Sequence, residues 1–142
     1  GFVILFESTK EEVTTTSSIS CANIKPFGTN PFLMTDHKEA IEIMNSTDDN
    51  VGLLTDVAHL KVSSHSEGFC KNEYLDFTGE YTFAYHFSDN DGKSDTNQSV
   101  TNDSWFWPFI RRDLTYYTLE VYNQNLEVLA QQIDLAKMML YS

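Results

Sequence analysis

The chain has 142 residues, of which 41% are hydrophobic and 13% aromatic, so it can form one globular domain with a buried core. Its 9 basic and 21 acidic residues leave a net charge of −12, which argues against binding nucleic acid through a basic face. No apolar run approaches the roughly 18 residues that a membrane-spanning helix needs, so no membrane contact is expected. The two cysteines, Cys21 and Cys70, form no C-x-x-C pair, which is typical of reduced thiols in a cytoplasmic protein.

Short segments rich in β-branched and aromatic residues are predicted to be strands, because these side chains fit a pleated sheet. The predicted strands cover residues 2–8, 51–57, 81–87 and 116–122. Helices are predicted between and after them, over residues 35–45, 66–77, 104–112 and 123–140. This alternation of strands and helices predicts an α/β fold with a parallel sheet.

Two of the predicted helices show specific patterns. In the helix over residues 35–45, Asp36 and Glu39 have the spacing of a capping box at its start. The helix over residues 123–140 has the clearest periodicity, with apolar residues recurring at intervals of three and four. These are Leu126, Leu129, Ile133, Ala136, Met139 and Leu140.

Each predicted strand carries a potential metal ligand near its carboxyl end, where parallel α/β folds place their chemistry. Glu7, Asp56, His86 and Glu120 come from four successive strands, and His59 follows Asp56 by three positions. One acidic residue at a strand end is more often a helix cap than a ligand, but one ligand from each strand is harder to explain by chance. Carboxylates and imidazole together suit a divalent ion, whereas a structural zinc site would favour cysteines.

These positions occur in the segments FES, LLTDVAHL, YHFSDNDG and TLEVY, which resemble the xylose isomerase-like TIM barrels. That superfamily contains sugar and sugar-phosphate isomerases and epimerases, and also endonuclease IV. The resemblance covers nearly the whole chain and implies that residues 1–142 are four βα units, the C-terminal half of a (β/α)₈ barrel. An open half-barrel would expose sheet edges and an apolar inner face, so we expect self-association or pairing with an N-terminal half that this chain lacks.

The resemblance also implies an activity, namely metal-dependent isomerisation or epimerisation of a sugar or sugar phosphate. One divalent ion, with Mn²⁺ favoured over Mg²⁺, Co²⁺ or Zn²⁺, would be bound by Glu7, Asp56, His86 and Glu120. It would stabilise an enediolate while Glu7 and Glu120 take and return the proton beside the carbonyl. His59 is implied to contact substrate hydroxyls.

Lys93 is a further candidate, for binding an anionic group of the substrate. Two alternatives stay open on the same residues: a single-metal lyase or dehydratase, and a non-catalytic sugar-binding or structural relative. An endonuclease is disfavoured, because that branch carries a D-x-H pair in the loop after the third-strand histidine. Here the loop has Asp95 and Asn97, and an amide is a poorer transition-metal ligand than imidazole.

Overall fold

The structure is a computed structural model that describes residues 4–6, 34, 36–122 and 124–142, with only the backbone described for residues 4–6. In chain order the described elements are β1 (Ile4–Phe6), α1 (His37–Asn45), β2 (Val51–Asp56), α2 (Val57–Glu67), α3 (Lys71–Thr78), a 3₁₀ turn (Gly79–Tyr81), β3 (Thr82–Phe87), β4 (Tyr116–Leu119) and α4 (Leu126–Tyr141). The predicted ligand Glu7 and the cysteine Cys21 lie outside the described residues. Within the described part, no helix has both the length and the apolar character needed to cross a bilayer.

The four strands form one sheet in the order β1-β2-β3-β4, and every neighbouring pair is parallel. Parallel neighbours must be joined by crossover connections, and helices occupy those between β1 and β2 and between β2 and β3. The predicted α/β class with a parallel sheet is therefore confirmed.

A cluster of buried hydrophobic residues lies on one face of this sheet. Leu53 of β2, with Tyr85 and Phe87 of β3, belongs to a buried cluster that also contains Ala40 of α1 and Leu60 of α2. Trp107 and Ile110 of the segment before β4, and Ala136 and Leu140 of α4, join the same cluster. The helices and the segment before β4 therefore cover the same face of the sheet.

Alternate residues of the strands point to the opposite face. The register pairs Leu54 with Ala84 and Ala84 with Tyr116; Leu54 and Ala84 are also buried, although they lie outside the buried cluster. Tyr116 is 56% exposed. At the start of this face, the Phe83 side chain lies directly over Gly52, where the β2–β3 register shifts.

The helix predicted over residues 66–77 is wrong in its boundaries. Asp56 caps a helix that starts directly after β2, and this helix, α2, ends at Gly68, whose φ of 74° is readily adopted by glycine. The next helix, α3, starts at Lys71. The short polar residues Ser63, Ser64 and Ser66 hide the helical pattern of α2 in the sequence, because they are poor helix formers.

The helix predicted over residues 104–112 is not formed. Tight turns take its place, with Trp107 N donating to Ser104 O at 3.4 Å and Phe109 N to Phe106 O at 2.9 Å. Pro108 has no N–H to continue a helical ladder, which accounts for the difference.

The two patterned helices form, with differences in detail. Asp36 caps α1 as predicted, accepting a hydrogen bond from Lys38 N, but Glu39 accepts from Met34 N. In α4, Leu126 and Ile133 are 85% and 40% exposed, so the predicted apolar face is wrong at these positions.

The buried face of α4 includes a polar residue, Gln132. Its Oε1 accepts a hydrogen bond from Val100 N at 2.7 Å, and its Nε2 donates to Val100 O at 3.1 Å. The buried face of α4 therefore includes a polar contact that apolar periodicity does not predict.

Candidate metal site at the carboxyl edge of the sheet

Asp56 ends β2 and caps α2, and the two carboxylate oxygens have different surroundings. Oδ1 accepts hydrogen bonds from Ala58 N and His59 N, both at 2.9 Å. Oδ2 is buried and has no hydrogen-bond partner among the described residues. Burial raises the pKa of Asp56 to about 6, against the opposing effect of His59 and His86. A buried carboxylate oxygen without a donor is costly, so Oδ2 is suited to a bound cation.

His86 and Glu120 approach that oxygen from the next two strands. The register pairs Asp56 with His86, so both side chains lie on the same face of the sheet. His86 Nδ1 lies 3.8 Å from Asp56 Oδ2 and 3.1 Å from Glu120 Oε2. Glu120 directly follows β4, and its N–H donates to Phe87 O at 3.0 Å, which holds it against the end of β3.

Glu120 is held at both carboxylate oxygens. Oε2 accepts from His86 Nδ1, and Oε1 accepts from the Tyr122 hydroxyl at 3.1 Å. The hydrogen bond from His86 is the main reason that the pKa of Glu120 is lowered, with a smaller contribution from Tyr122. Glu120 therefore remains a carboxylate at neutral pH.

We call the group formed by Asp56, His86 and Glu120 the ligand triad. Each of its residues offers one ligand atom to a common point. These atoms all lie within 4.8 Å of one another. Two carboxylates and one imidazole form a donor set that suits Mn²⁺, Co²⁺ or Zn²⁺, and less strongly Mg²⁺, which prefers oxygen ligands. The residues present therefore fit a divalent metal ion, and the orphaned Asp56 Oδ2 would gain a partner from it.

His59 lies beside the triad in the first turn of α2. Its Nδ1 is 3.7 Å from Asp56 Oδ2, and its Nε2 is 2.9 Å from Asp95 Oδ2. Burial by itself lowers the pKa of His59, but the hydrogen bond to Asp95 and the charges of Asp56 and Asp95 outweigh it and raise the pKa to about 9. In the metal-free protein, His59 is consequently a cation at neutral pH.

The acidic residues that follow β3 stabilise their own loop. Asp89 accepts from Lys61 Nζ at 2.6 Å and from Ser104 Oγ at 2.9 Å. Asp91 Oδ1 accepts from the backbone N–H groups of Lys93 and Ser94. These contacts explain why the loop is rich in aspartate without assigning these two residues to the metal.

Two other predicted positions lie in the same loop. Lys93 is exposed, and no hydrogen bond or ion pair in the described part of the chain joins its ammonium group to the triad. Asn97 is buried with a φ of 44°; its Oδ1 accepts from Ser88 Oγ and its O accepts from Tyr122 N. Asn97 thus shapes the loop. The role predicted for Glu7 lies outside the described residues and stays a prediction.

Sequence patterns missed two residues that contact this site. Tyr122 follows Glu120 by two positions, the spacing that places side chains on one face of a strand, so its contact could have been anticipated. Asp95 entered the sequence analysis only as the counterpart of the aspartate in the D-x-H pair, and no local pattern predicts its contact with His59.

Comparisons with known proteins do not identify the chain. A scan against protein-family models, a search of curated proteins and a search of solved structures each found no match. The resemblance to the xylose isomerase-like barrels rests on the sequence segments quoted above, and the site is defined by its geometry.

Proposed function

We propose that this chain is a metal-dependent isomerase or epimerase of a sugar or sugar phosphate, built on half of a (β/α)₈ barrel of the xylose isomerase-like kind. The observation that supports the proposal is the convergence of Asp56, His86 and Glu120 within 4.8 Å at one edge of a parallel sheet. Three successive strands each contribute one ligand there. A parallel α/β enzyme carries its site at this edge.

The sheet topology supports the half-barrel part of the proposal. Strands that neighbour one another in chain order, with helices on a single face, are the arrangement of a singly wound barrel wall. In such a wall the other face is the barrel interior, and here that face carries the triad and the exposed Tyr116. Self-association or pairing with an N-terminal half stays a prediction, which sedimentation velocity at several protein concentrations tests.

In this proposal Asp56 Oδ2, His86 and Glu120 hold the metal, with Glu7 as a fourth ligand. A bound divalent ion supplies positive charge next to the carbonyl and hydroxyl oxygens of a substrate, which acidifies the neighbouring C–H bond. Manganese is the ion that the family resemblance favours, and a donor set made mainly of carboxylates can hold it.

We assign the roles of general base and proton donor from the charges of the residues at the site. Glu120 has a lowered pKa and accepts two hydrogen bonds, so it is a better ligand than proton acceptor. Glu7 is therefore the stronger candidate for the general base. His59 presents a protonated ring beside Asp56, suited to donate a hydrogen bond or a proton to a substrate oxygen.

The same property of His59 favours one alternative, a metal-dependent dehydratase. An imidazolium next to the reacting atoms can protonate a departing hydroxyl group, which a simple epimerisation does not need. The two reactions are distinguished by their products, because a dehydratase releases water and leaves a carbon skeleton with one oxygen fewer.

The test is proton exchange at carbon. The purified chain, loaded with Mn²⁺, is incubated in deuterated water with a panel of aldoses, ketoses and their phosphates, and products are followed by NMR. We expect deuterium at the carbon beside the carbonyl of at least one sugar, and loss of this exchange in Asp56→Asn. The control variant Asp103→Asn removes an exposed acidic residue and should retain the exchange. Tight metal binding without exchange on any sugar would contradict the proposal and favour a non-catalytic relative.

A further inference from the structure

The His59 ring is held by a hydrogen bond on the side away from the triad. Asp95 Oδ2 lies 2.9 Å from His59 Nε2, although the two residues are 36 positions apart. A carboxylate only accepts hydrogen bonds, so Nε2 must carry the proton. The other ring nitrogen, Nδ1, is buried and lies 3.7 Å from Asp56 Oδ2, without a hydrogen-bond partner among the described residues. One contact therefore determines which nitrogen faces the triad.

Asp95 is presented by a loop anchored to the helix that carries His59. Lys61, two residues beyond His59 on α2, binds Asp89 at 2.6 Å. Asn90 Nδ2 donates to the carbonyl of Ala58, the residue just before His59, at 2.9 Å. Both anchors flank His59 on α2, so they hold the loop against the turn of the helix that carries the imidazole ring.

The far end of this loop is tied to the strand that carries a ligand. Asn97 accepts a hydrogen bond from Tyr122 N at 3.0 Å, two residues after Glu120. Within the loop, Ser88 Oγ donates to Asn97 Oδ1 at 2.9 Å, and Asp89 and Gln98 form two backbone hydrogen bonds. The loop thus bridges α2 and the end of β4, with Asp95 at its centre.

We propose that Asp95 is a positioning residue that orients the His59 ring so that Nδ1 faces the triad. Asp95 is not one of the three triad residues, and it acts through His59. The catalytic consequence rests on the proposed function, in which His59 meets the substrate oxygen. The orientation itself is a property of the protein without substrate.

Loss of the hydrogen bond between Asp95 and His59 should disturb the orientation of the His59 ring and leave metal binding unchanged. Removing the carboxylate that orients a histidine in a site of this kind typically lowers activity by about 10- to 100-fold. Asp95→Ala should therefore lower kcat by at least about tenfold, with metal content and KM little changed. Asp95→Asn should fall between wild type and Asp95→Ala, because an amide oxygen still accepts a hydrogen bond but lacks the charge.

The deciding experiment is independent of activity. Proton–nitrogen NMR spectra of ¹⁵N-histidine-labelled chain, treated with a chelator, should contain a His59 Nε2–H that exchanges slowly with water. His59→Gln assigns this resonance. We expect at least tenfold faster exchange in Asp95→Ala and no change in the control Asp103→Asn, while backbone spectra confirm that both variants are folded.

The possible outcomes separate the two proposals. The role of Asp95 would be overturned if the His59 Nε2–H exchanged rapidly with water in the folded wild type. It would also be overturned if this proton exchanged slowly in Asp95→Ala. A protected resonance that depends on Asp95, together with no activity on any sugar, would retain the positioning role and reject the proposed function.

Discussion

His86 Nδ1 and Glu120 Oε2 lie 3.1 Å apart although 34 positions separate the two residues in the chain. They meet because His86 is next to the last residue of β3 and Glu120 immediately follows β4, and these parallel strands end at one edge of the sheet. Asp56, at the end of β2, completes the group from the other side. A metal bound here would join the ends of three neighbouring strands.

Metal binding should stabilise the folded chain and depend on each member of the triad. A ligand at 100 times its Kd stabilises a protein by about 2.7 kcal/mol, so Mn²⁺ should measurably raise the Tm. Asp56→Asn and Glu120→Gln should each weaken Mn²⁺ binding at least about tenfold in calorimetric titrations, because each removes a charge from the donor set. Glu127→Gln, which changes an exposed acidic residue of α4, is the matched control. Unchanged affinity in Glu120→Gln would reject this site.

The metal-free chain should lose stability as pH rises from about 6.5 to about 9. The pKa of His59 is near 9 in the folded protein against 6.5 for an unperturbed histidine, so the folded state binds this proton more tightly than the unfolded state. The resulting stabilisation is fully present below pH 6.5 and disappears as pH rises through 9. It amounts to up to about 3 kcal/mol.

Urea unfolding at pH 6 and pH 9, with a chelator present, measures this effect. The loss of stability between the two pH values should shrink in His59→Gln and in Asp95→Asn, because both remove the charge pair. The same loss in wild type and His59→Gln would show that another group is responsible.

Gly52→Ala should destabilise the sheet. A Cβ at this position would lie 2.1 Å from Phe83 Cγ and 2.6 Å from Phe83 Cβ, closer than these atoms can approach. Rotating the ring does not move Phe83 Cβ, so the backbone of β2 or β3 must shift. Overpacking of this kind typically costs about 1–3 kcal/mol. Urea unfolding should reveal that loss.

A second glycine provides the control for this measurement. Gly79 has a helical φ of −55°, and nothing lies within 4 Å of the position of an added Cβ. Gly79→Ala should therefore be neutral or stabilising by up to about 1 kcal/mol. In the double variant Gly52→Ala with Phe83→Ala, the two losses should be less than additive, because the clash with the Phe83 ring is removed and only the close contact with the Cβ of residue 83 remains. Equal stability of Gly52→Ala and Gly79→Ala would contradict the packing described here.

The purified chain should not nick abasic-site DNA, even with added Zn²⁺. The resemblance noted in the sequence places Asn97 opposite a histidine ligand of the endonuclease branch, and Asn97 is buried and bonded to Ser88 and Tyr122. The net charge of −12 also opposes binding to the phosphate backbone. Metal-dependent nicking in a plasmid assay, absent from Asp56→Asn, would replace the isomerase proposal with a phosphodiesterase.

The sequence by itself determined the strands of the sheet and the residue types at their ends. Strands predicted over residues 51–57 and 81–87 match β2 and β3 to within one residue, because β-branched and aromatic side chains fill a parallel sheet. Parallel strands end at a common edge, so local patterns also brought Asp56 and His86 to one place. The Asp36 cap of α1 is equally local, since it depends on the next few backbone N–H groups.

Only the tertiary structure decided which polar residues face one another. An aspartate in a loop has the same local pattern whether it binds a lysine, as Asp89 does, or a histidine far away in the chain, as Asp95 does. Which partner each aspartate binds depends on where the loop is anchored on α2, and no short stretch of sequence specifies that position. The face that α4 buries was decided in the same way: Gln132 is paired with Val100 on the buried face, whereas Leu126 is exposed. Leaving a buried backbone group unpaired costs about 1–3 kcal/mol, and the pairings that avoid this cost exist only once the chain has folded.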